Sequence, residues 1–228
     1  MITKQLIVYL LACMGLLACS ASSVTIEGKD GINRQKEYYL YGCQAGSLIP
    51  IASALIDSNG CFRLNVPLPQ EGFYLLGTEQ GVMHPFYLKG NETIRLRFQT
   101  NGMILEGEQT PENQALSQWE QAATLVREHA FLYERFGGGY STDPATFTQE
   151  LEDLLRVRQQ LKPEKATGNA TFNSLLKAKM EADVDFYALA YLQRNAGNLS
   201  DTIRLSNYYQ KMQPEKTLQQ PALLQLPY

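Results

Sequence analysis

Thr93-Ile94-Arg95-Leu96-Arg97-Phe98-Gln99 and Gly107-Glu108-Gln109-Thr110-Pro111-Glu112-Asn113 lie close together in this chain and obey different periods. In the first stretch Ile94, Leu96 and Phe98 alternate with Arg95, Arg97 and Gln99. That period of two puts the apolar side chains on one face of a half-exposed antiparallel strand. In the second stretch Thr110 is placed to cap a helix that opens at Pro111, with Glu112 near its positive end. Leu116, Trp119, Ala123, Val126, Ala130 and Tyr133 then recur at helical spacing. The chain turns from β to α near residue 110.

Toward the N-terminus, short apolar or alternating runs are separated by turn residues. Residues 24–28, 38–41, 50–57, 61–66, 73–76, 85–88, 93–98 and 103–105 read as about eight strands. Asn59-Gly60 between two of these runs predicts a tight hairpin, because both turn positions then need positive φ. Strands at this spacing predict an antiparallel β-sandwich or a partly open barrel over 19–109. Toward the C-terminus, Gly137-Gly138-Gly139 ends the first helix and Asp143-Pro144 starts a second, with Phe147, Leu151, Leu154, Leu155 and Leu161 apolar and Pro163 as its stop. A third helix is expected from 171 to 195, with Phe172, Leu175, Leu176, Val184, Tyr187, Tyr191 and Leu192 inward, and a shorter fourth after Ser200. The fold class is therefore α+β: a β domain, a helical region of about four helices over 110–213, and an irregular tail over 214–228. The leucines of that tail have no visible partner.

The first twenty residues have a separate purpose. Lys4 is the only charge before an apolar run over 6–18, which ends in Leu16-Leu17-Ala18-Cys19. A positive start, a short apolar stretch and a small residue at the cut describe an export signal over 1–18. The run is too short to span a bilayer, which takes about 20 helical residues. A small residue directly before cysteine resembles the lipobox of bacterial lipoproteins, whose first mature residue, here Cys19, carries a diacylglyceryl group. Leu10-Leu11-Ala12-Cys13 is a second box but leaves a shorter apolar stretch. Several acyl chains on Cys19 would anchor the protein stably. Ser20 follows, with no aspartate in the next two positions, which goes with sorting to the outer membrane, facing the periplasm.

Removing residues 1–18 from the 228 leaves 210, enough for one large domain or two small ones with cores of their own. The whole chain carries 20 Lys+Arg and 23 Asp+Glu, so the mature part, without Lys4, is near −4. A mildly acidic chain with no basic cluster has no electrostatic footprint for nucleic acid. Of the four cysteines, Cys43 and Cys61 are the two beyond the export signal and Cys19. They do not form a CxxC. In a simple strand meander they would sit at opposite ends of the sheet, roughly 20 Å apart, well beyond disulfide reach.

Candidate chemistry is sparse. His84 and His129 are the only histidines, and a zinc site needs three or four ligands. Glu128 adjoins His129, yet consecutive helical positions do not face the same way. Both rings are expected to pack rather than ligate. Gly137-Gly138-Gly139 follows a helix and lacks the lysine of a phosphate loop, so it reads as a connection. Glu181 and Asp185 are one helical turn apart, a geometry that can bind a cation or raise a carboxylate pKa. With Asp183, Lys177 and Lys179 nearby, the expectation is a solvated face with ordinary ion pairs. A Ser/His/Asp triad is not excluded by residue counts, but no GxSxG elbow is present. These residues predict no catalytic, cofactor-binding or metal site.

The order of Thr25-Ile26-Glu27-Gly28, Tyr39-Leu40-Tyr41, Ile56-Asp57-Ser58-Asn59-Gly60-Cys61-Phe62-Arg63-Leu64, Gly72-Phe73-Tyr74-Leu75, Phe86-Tyr87-Leu88-Lys89-Gly90-Asn91 and Gly107-Glu108-Gln109-Thr110-Pro111-Glu112-Asn113 resembles a small domain of unknown function. That domain is common in Bacteroidetes-type envelope lipoproteins. There it and a helical segment precede a thioredoxin-like domain of the TlpA/ResA kind. The resemblance covers about 24–116. It implies a non-catalytic accessory or binding module, with an envelope protein or a thioredoxin-like domain as partner and the membrane reached through the lipid. The relatives' redox dithiol lies in a Trp-Cys-x-x-Cys signature that has no counterpart in these 228 residues. The alternative is the front half of a membrane-anchored thiol-disulfide oxidoreductase, shortened before its catalytic domain.

Overall fold

A computed structural model describes residues 22–31, 37–79, 83–99, 102–135, 142–195, 208–209 and 212–226. Eight strands come first: β1 (Ser23–Asp30), β2 (Glu37–Gln44), β3 (Ser47–Leu55), β4 (Cys61–Pro67), β5 (Gly72–Gly77), β6 (His84–Leu88), β7 (Glu92–Gln99) and β8 (Gly102–Glu106). They form two four-stranded sheets, in the orders β4-β1-β7-β8 and β3-β2-β5-β6. Between the sheets lies a core of Val24, Ile26, Leu40, Phe62, Leu64, Val66, Leu76, Phe86, Leu88, Ile94 and Leu96. Gly28 is required there, because a Cβ at that position would stand 2.1 Å from the Phe62 ring. That ring in turn stacks on Tyr38, with centroids 4.4 Å apart.

Two expectations about pairing change. The sandwich is not wholly antiparallel: β1 pairs with β7 in parallel, Ile26 opposite Ile94. The chain leaves β6 and enters β7 at the end where β1 begins, so the two strands run the same way. Asn91 N–H donates to the Ser23 carbonyl across 2.7 Å at that corner. Gly90 (φ 96°) and Asn91 (φ 59°) make the bend. The hairpin expected at Asn59-Gly60 is instead a crossing between sheets, because β4 pairs with β1 and not with β3. Only Gly60 has positive φ in that turn. The Asp57 carboxylate holds it, accepting from the Asn59 and Cys61 amides at 2.8 Å each. The positive-φ pair that closes a two-residue hairpin is Ala45 (50°) and Gly46 (78°), between β2 and β3.

The helices are α1 (Pro111–Arg135), α2 (Pro144–Gln160), α3 (Pro163–Ala166), α4 (Ala170–Arg194) and α5 (Pro214–Leu218), followed by a 3₁₀ turn at Pro221–Gln225. Thr110 Oγ1 caps α1 by accepting from the Asn113 amide at 3.2 Å. Asp143 caps α2, and Asn169 caps α4. Pro163 does stop α2, and it also opens the single turn of α3. α2 runs antiparallel to α1 and α4: His129 meets Glu150, and Phe147 stacks on Tyr191 with ring centroids 3.8 Å apart. This layer shares a second core with the outer face of the β3-β2-β5-β6 sheet, where Phe73 and Tyr87 join Leu116, Trp119, Phe172 and Leu176. The order is sheet, sheet, helices.

The tail departs from the irregular, unpacked segment expected over 214–228. Besides α5 and the 3₁₀ turn, Leu226 is fully buried in the second core and Leu223 is partly buried against it. The Gly46 amide donates to the Leu224 carbonyl at 2.9 Å, which ties the tail to the β2–β3 hairpin. Cys19, Gly137-Gly138-Gly139 and most of the expected fourth helix lie outside the described residues, apart from helical Tyr208 and Tyr209.

Candidate functional site

Ionisable side chains gather in the helical layer. Trp119, Glu120 and Arg127 project from α1, and Lys179, Asp183 and Tyr187 from α4. The spacings 179, 183 and 187, and 120 and 127, bring each set to one helix face. Lys179 Nζ lies 3.0 Å from Glu120 Oε1 and 2.9 Å from Asp183 Oδ2. Trp119 Nε1 donates to Asp183 Oδ2 at 2.7 Å, and Arg127 lies 2.7 Å from Glu120 Oε2. Lys179 and Asp183 are buried, with 7% and 1% of their surface exposed. Two cations face two carboxylates, so the group is balanced in charge.

Asp183 and Lys179 therefore do not form the solvated face expected of this stretch. Trp119 comes from a helix 64 residues earlier, and nothing in the local sequence of α4 announces it. The flanking carboxylates do serve as ordinary acceptors. Glu181 accepts from Gln220, and Asp185 accepts from Thr217 and Tyr208. They hold the tail along α4.

Lys179, Glu120 and Tyr187 are each kept in their usual protonation state. Burial pushes the Lys179 ammonium down, but Asp183 and Glu120 outweigh it and hold its pKa above the usual lysine value. Burial raises Glu120, and Lys179 and Arg127 more than reverse this, so its carboxyl ionises below the usual range. Burial, then Asp183, keeps the Tyr187 phenol neutral. None of these three is poised to exchange a proton near neutral pH, as a general acid or base must be. The arrangement is suited to fixing the register of α1 against α4.

A second polar group joins the layers. The Asn113 side chain pairs with the backbone of Tyr87 like a short strand. Its Oδ1 accepts from the Tyr87 amide and its Nδ2 donates to the Tyr87 carbonyl, both at 2.9 Å. This closes the open edge of β6. Beside it Lys89 lies 3.0 Å from the buried Glu112 carboxylate. Thr110, Pro111, Glu112 and Asn113 thus cap, start, charge-pair and latch α1 within one turn. The sequence signal was present in that run, although only the helix start is readable from it.

The histidines do not meet. His129 Nδ1 lies 2.7 Å from Glu150 Oε2 across α1 and α2. His84 stands at the start of β6 beside Phe98, with ring centroids 5.4 Å apart. Burial, then Arg127, lowers its pKa. Among the described residues no three His, Cys, Asp or Glu side chains are grouped to hold a metal ion. Cys43 and Cys61 are separate free thiols. Cys43 is at the hairpin end of β2, whereas Cys61 begins β4 in the other sheet, so the meander premise fails while the separation along the strands remains. Cys43 Sγ donates to the Leu226 carbonyl at 3.1 Å, and burial raises its pKa, which disfavours the reactive thiolate.

No protein-family model matches the chain. No curated protein matches it either.

Proposed function

We propose that this chain is a lipid-anchored, non-catalytic module of the cell envelope, held at Cys19 and facing the periplasm from the outer membrane. The observation that carries the reading is Leu16-Leu17-Ala18-Cys19 behind a short apolar run. Two features support a binding or docking role over turnover. The buried ion network between α1 and α4 is balanced in charge, its lysine is held protonated, and the Cys43 thiol is pushed toward its inert form. Its partner is an envelope protein, with a thioredoxin-like domain as the first candidate on the strength of the resemblance over 24–116. Labelling cells with an alkyne fatty acid tests the anchor. Label should enter the wild type and the Cys13→Ser variant and vanish in Cys19→Ala; label that persists in Cys19→Ala contradicts it.

The second reading, the front half of a membrane-tethered thiol-disulfide oxidoreductase, is favoured by the ordered segments that end in Thr110-Pro111-Glu112-Asn113. The nucleotide sequence beyond codon 228 discriminates, since a frame resuming with a WCxxC motif would support it. On the first reading the purified 19–228 chain reduces insulin no faster than buffer, because exchange needs a reactive thiolate beside a second thiol.

A further inference from the structure

The two sheets end together where β1 begins. The Ser22 carbonyl accepts from the Leu68 amide at 2.7 Å, and a Cβ on Gly90 would stand 2.4 Å from Ser22 Cβ, so Ser22 is wedged between the exit of β4 and the entry of β7. Gly42 of β2 pairs with Tyr74 near the start of β5, which brings the Ala45–Gly46 hairpin to the same end on the facing sheet. Facing sheets lie about 10 Å apart. At this hairpin three large apolar side chains are exposed: Leu48 by 36%, Ile49 by 40% and, from the tail seated on Gly46, Leu224 by 56%. The Asn59-Gly60 turn lies at the opposite end of β1, whose eight residues span about 26 Å.

From these positions we infer that Leu48, Ile49 and Leu224 form a bilayer-contact tip, and that the protein stands on the membrane on this end with the Asn59 turn pointing away. The inference rests on the lipidation of Cys19 proposed above. Three residue steps from Cys19 to Ser22 span at most about 11 Å, so an acylated Cys19 holds this end, and no other, against the lipid. Apolar side chains at that depth reach the headgroup–acyl boundary. Glu71, Lys89 and Glu108 are exposed charges near this end, with Lys89 paired to Glu112, and the described residues there carry no basic cluster, so the contact is apolar and survives high salt.

Photolabelling by a diazirine phospholipid in phosphatidylethanolamine–phosphatidylglycerol vesicles, with peptide mass spectrometry, tests it. Two samples are compared: the mature protein purified from cells, and the Cys43→Ser/Cys61→Ser chain coupled through Cys19 to a maleimide phospholipid. Label should concentrate in peptides holding residues 46–50 and 221–226, at least ~3-fold over those holding 57–63. Replacing Leu48, Ile49 and Leu224 by serine should reduce it several-fold while far-ultraviolet dichroism stays unchanged. Even labelling of both ends, or labelling at 57–63, in the chemically tethered sample overturns the orientation. Undiminished label in the triple variant overturns the tip. An unmodified Cys19 mass in the cell-derived sample overturns the lipid reading alone, because the chemically tethered sample still decides the orientation.

Discussion

Strand β7 buries Ile94 and Leu96 and turns Arg95 and Arg97 outward, whereas β5 buries Phe73, Tyr74, Leu75 and Leu76 alike. The two strands stand for the two sheets. The outer face of β4-β1-β7-β8 carries Glu27 between Arg63 and Arg95, each at 3.1 Å, with Asn65 and Thr25 alongside. The outer face of β3-β2-β5-β6 meets the helical layer over β5 and β6. One face spends its polar groups in solvent, where ion pairs contribute little. The other takes its polar groups inside, where each needs a partner. What differs is thus where charge sits relative to the second core.

The difference can be broken at the buried network first. Lys179→Met leaves Glu120 and Asp183 without their shared cation, and the expected loss is about 3–5 kcal/mol in urea unfolding. A loss under about 1 kcal/mol would mean the network is wet. Asn113→Ala strands both backbone groups of Tyr87 and should cost about 2 kcal/mol. Hydrogen exchange should show the loss at β6 before the β4-β1-β7-β8 sheet responds.

Acid sharpens the contrast. Burial lowers the pKa of folded His84 below that of an unfolded histidine, so between the two values the unfolded chain holds a proton that the folded protein lacks. The stability tied to His84 is therefore complete above the usual histidine pKa and is lost as pH falls through the lowered folded value. His84→Gln should flatten the fall in melting temperature below about pH 6.5, and an unchanged slope would contradict this. The smallest effect belongs to the solvent face: Arg95→Ala should change stability by no more than about 0.5 kcal/mol.

These positions also show what was readable beforehand. Alternation in Thr93–Phe98 revealed a strand with one wet face, whereas 73–76 read only as a strand, and its burial on both faces comes from the helical layer above it. The helix start at Thr110-Pro111 was equally plain. Pairing was harder, because β-strand register is decided by partners distant in sequence. Asn59-Gly60 has hairpin chemistry, yet β4 finds β1, and the hairpin with two positive φ values falls at Ala45-Gly46, where alanine gives no such signal. Asp183 and Lys179 read as surface residues because their α4 neighbours are charged, and only docking of α1 reveals Trp119 and Glu120 above them. The tail leucines had no partner until β2 and α4 enclosed Leu226.

If the second core truly joins sheet and helices, the two halves must unfold together. Trp119 is the single tryptophan and is fully buried in that second core, so its fluorescence reports the packing of the helices on the sheet. Urea unfolding of the mature chain should be followed by Trp119 fluorescence and, in parallel, by pulsed hydrogen exchange at the β1 amides of Val24 to Gly28. Coincident midpoints and slopes are expected for one cooperative body. Loss of the Trp119 signal at lower urea, with β1 still protected, would show that the helices only rest on the sandwich.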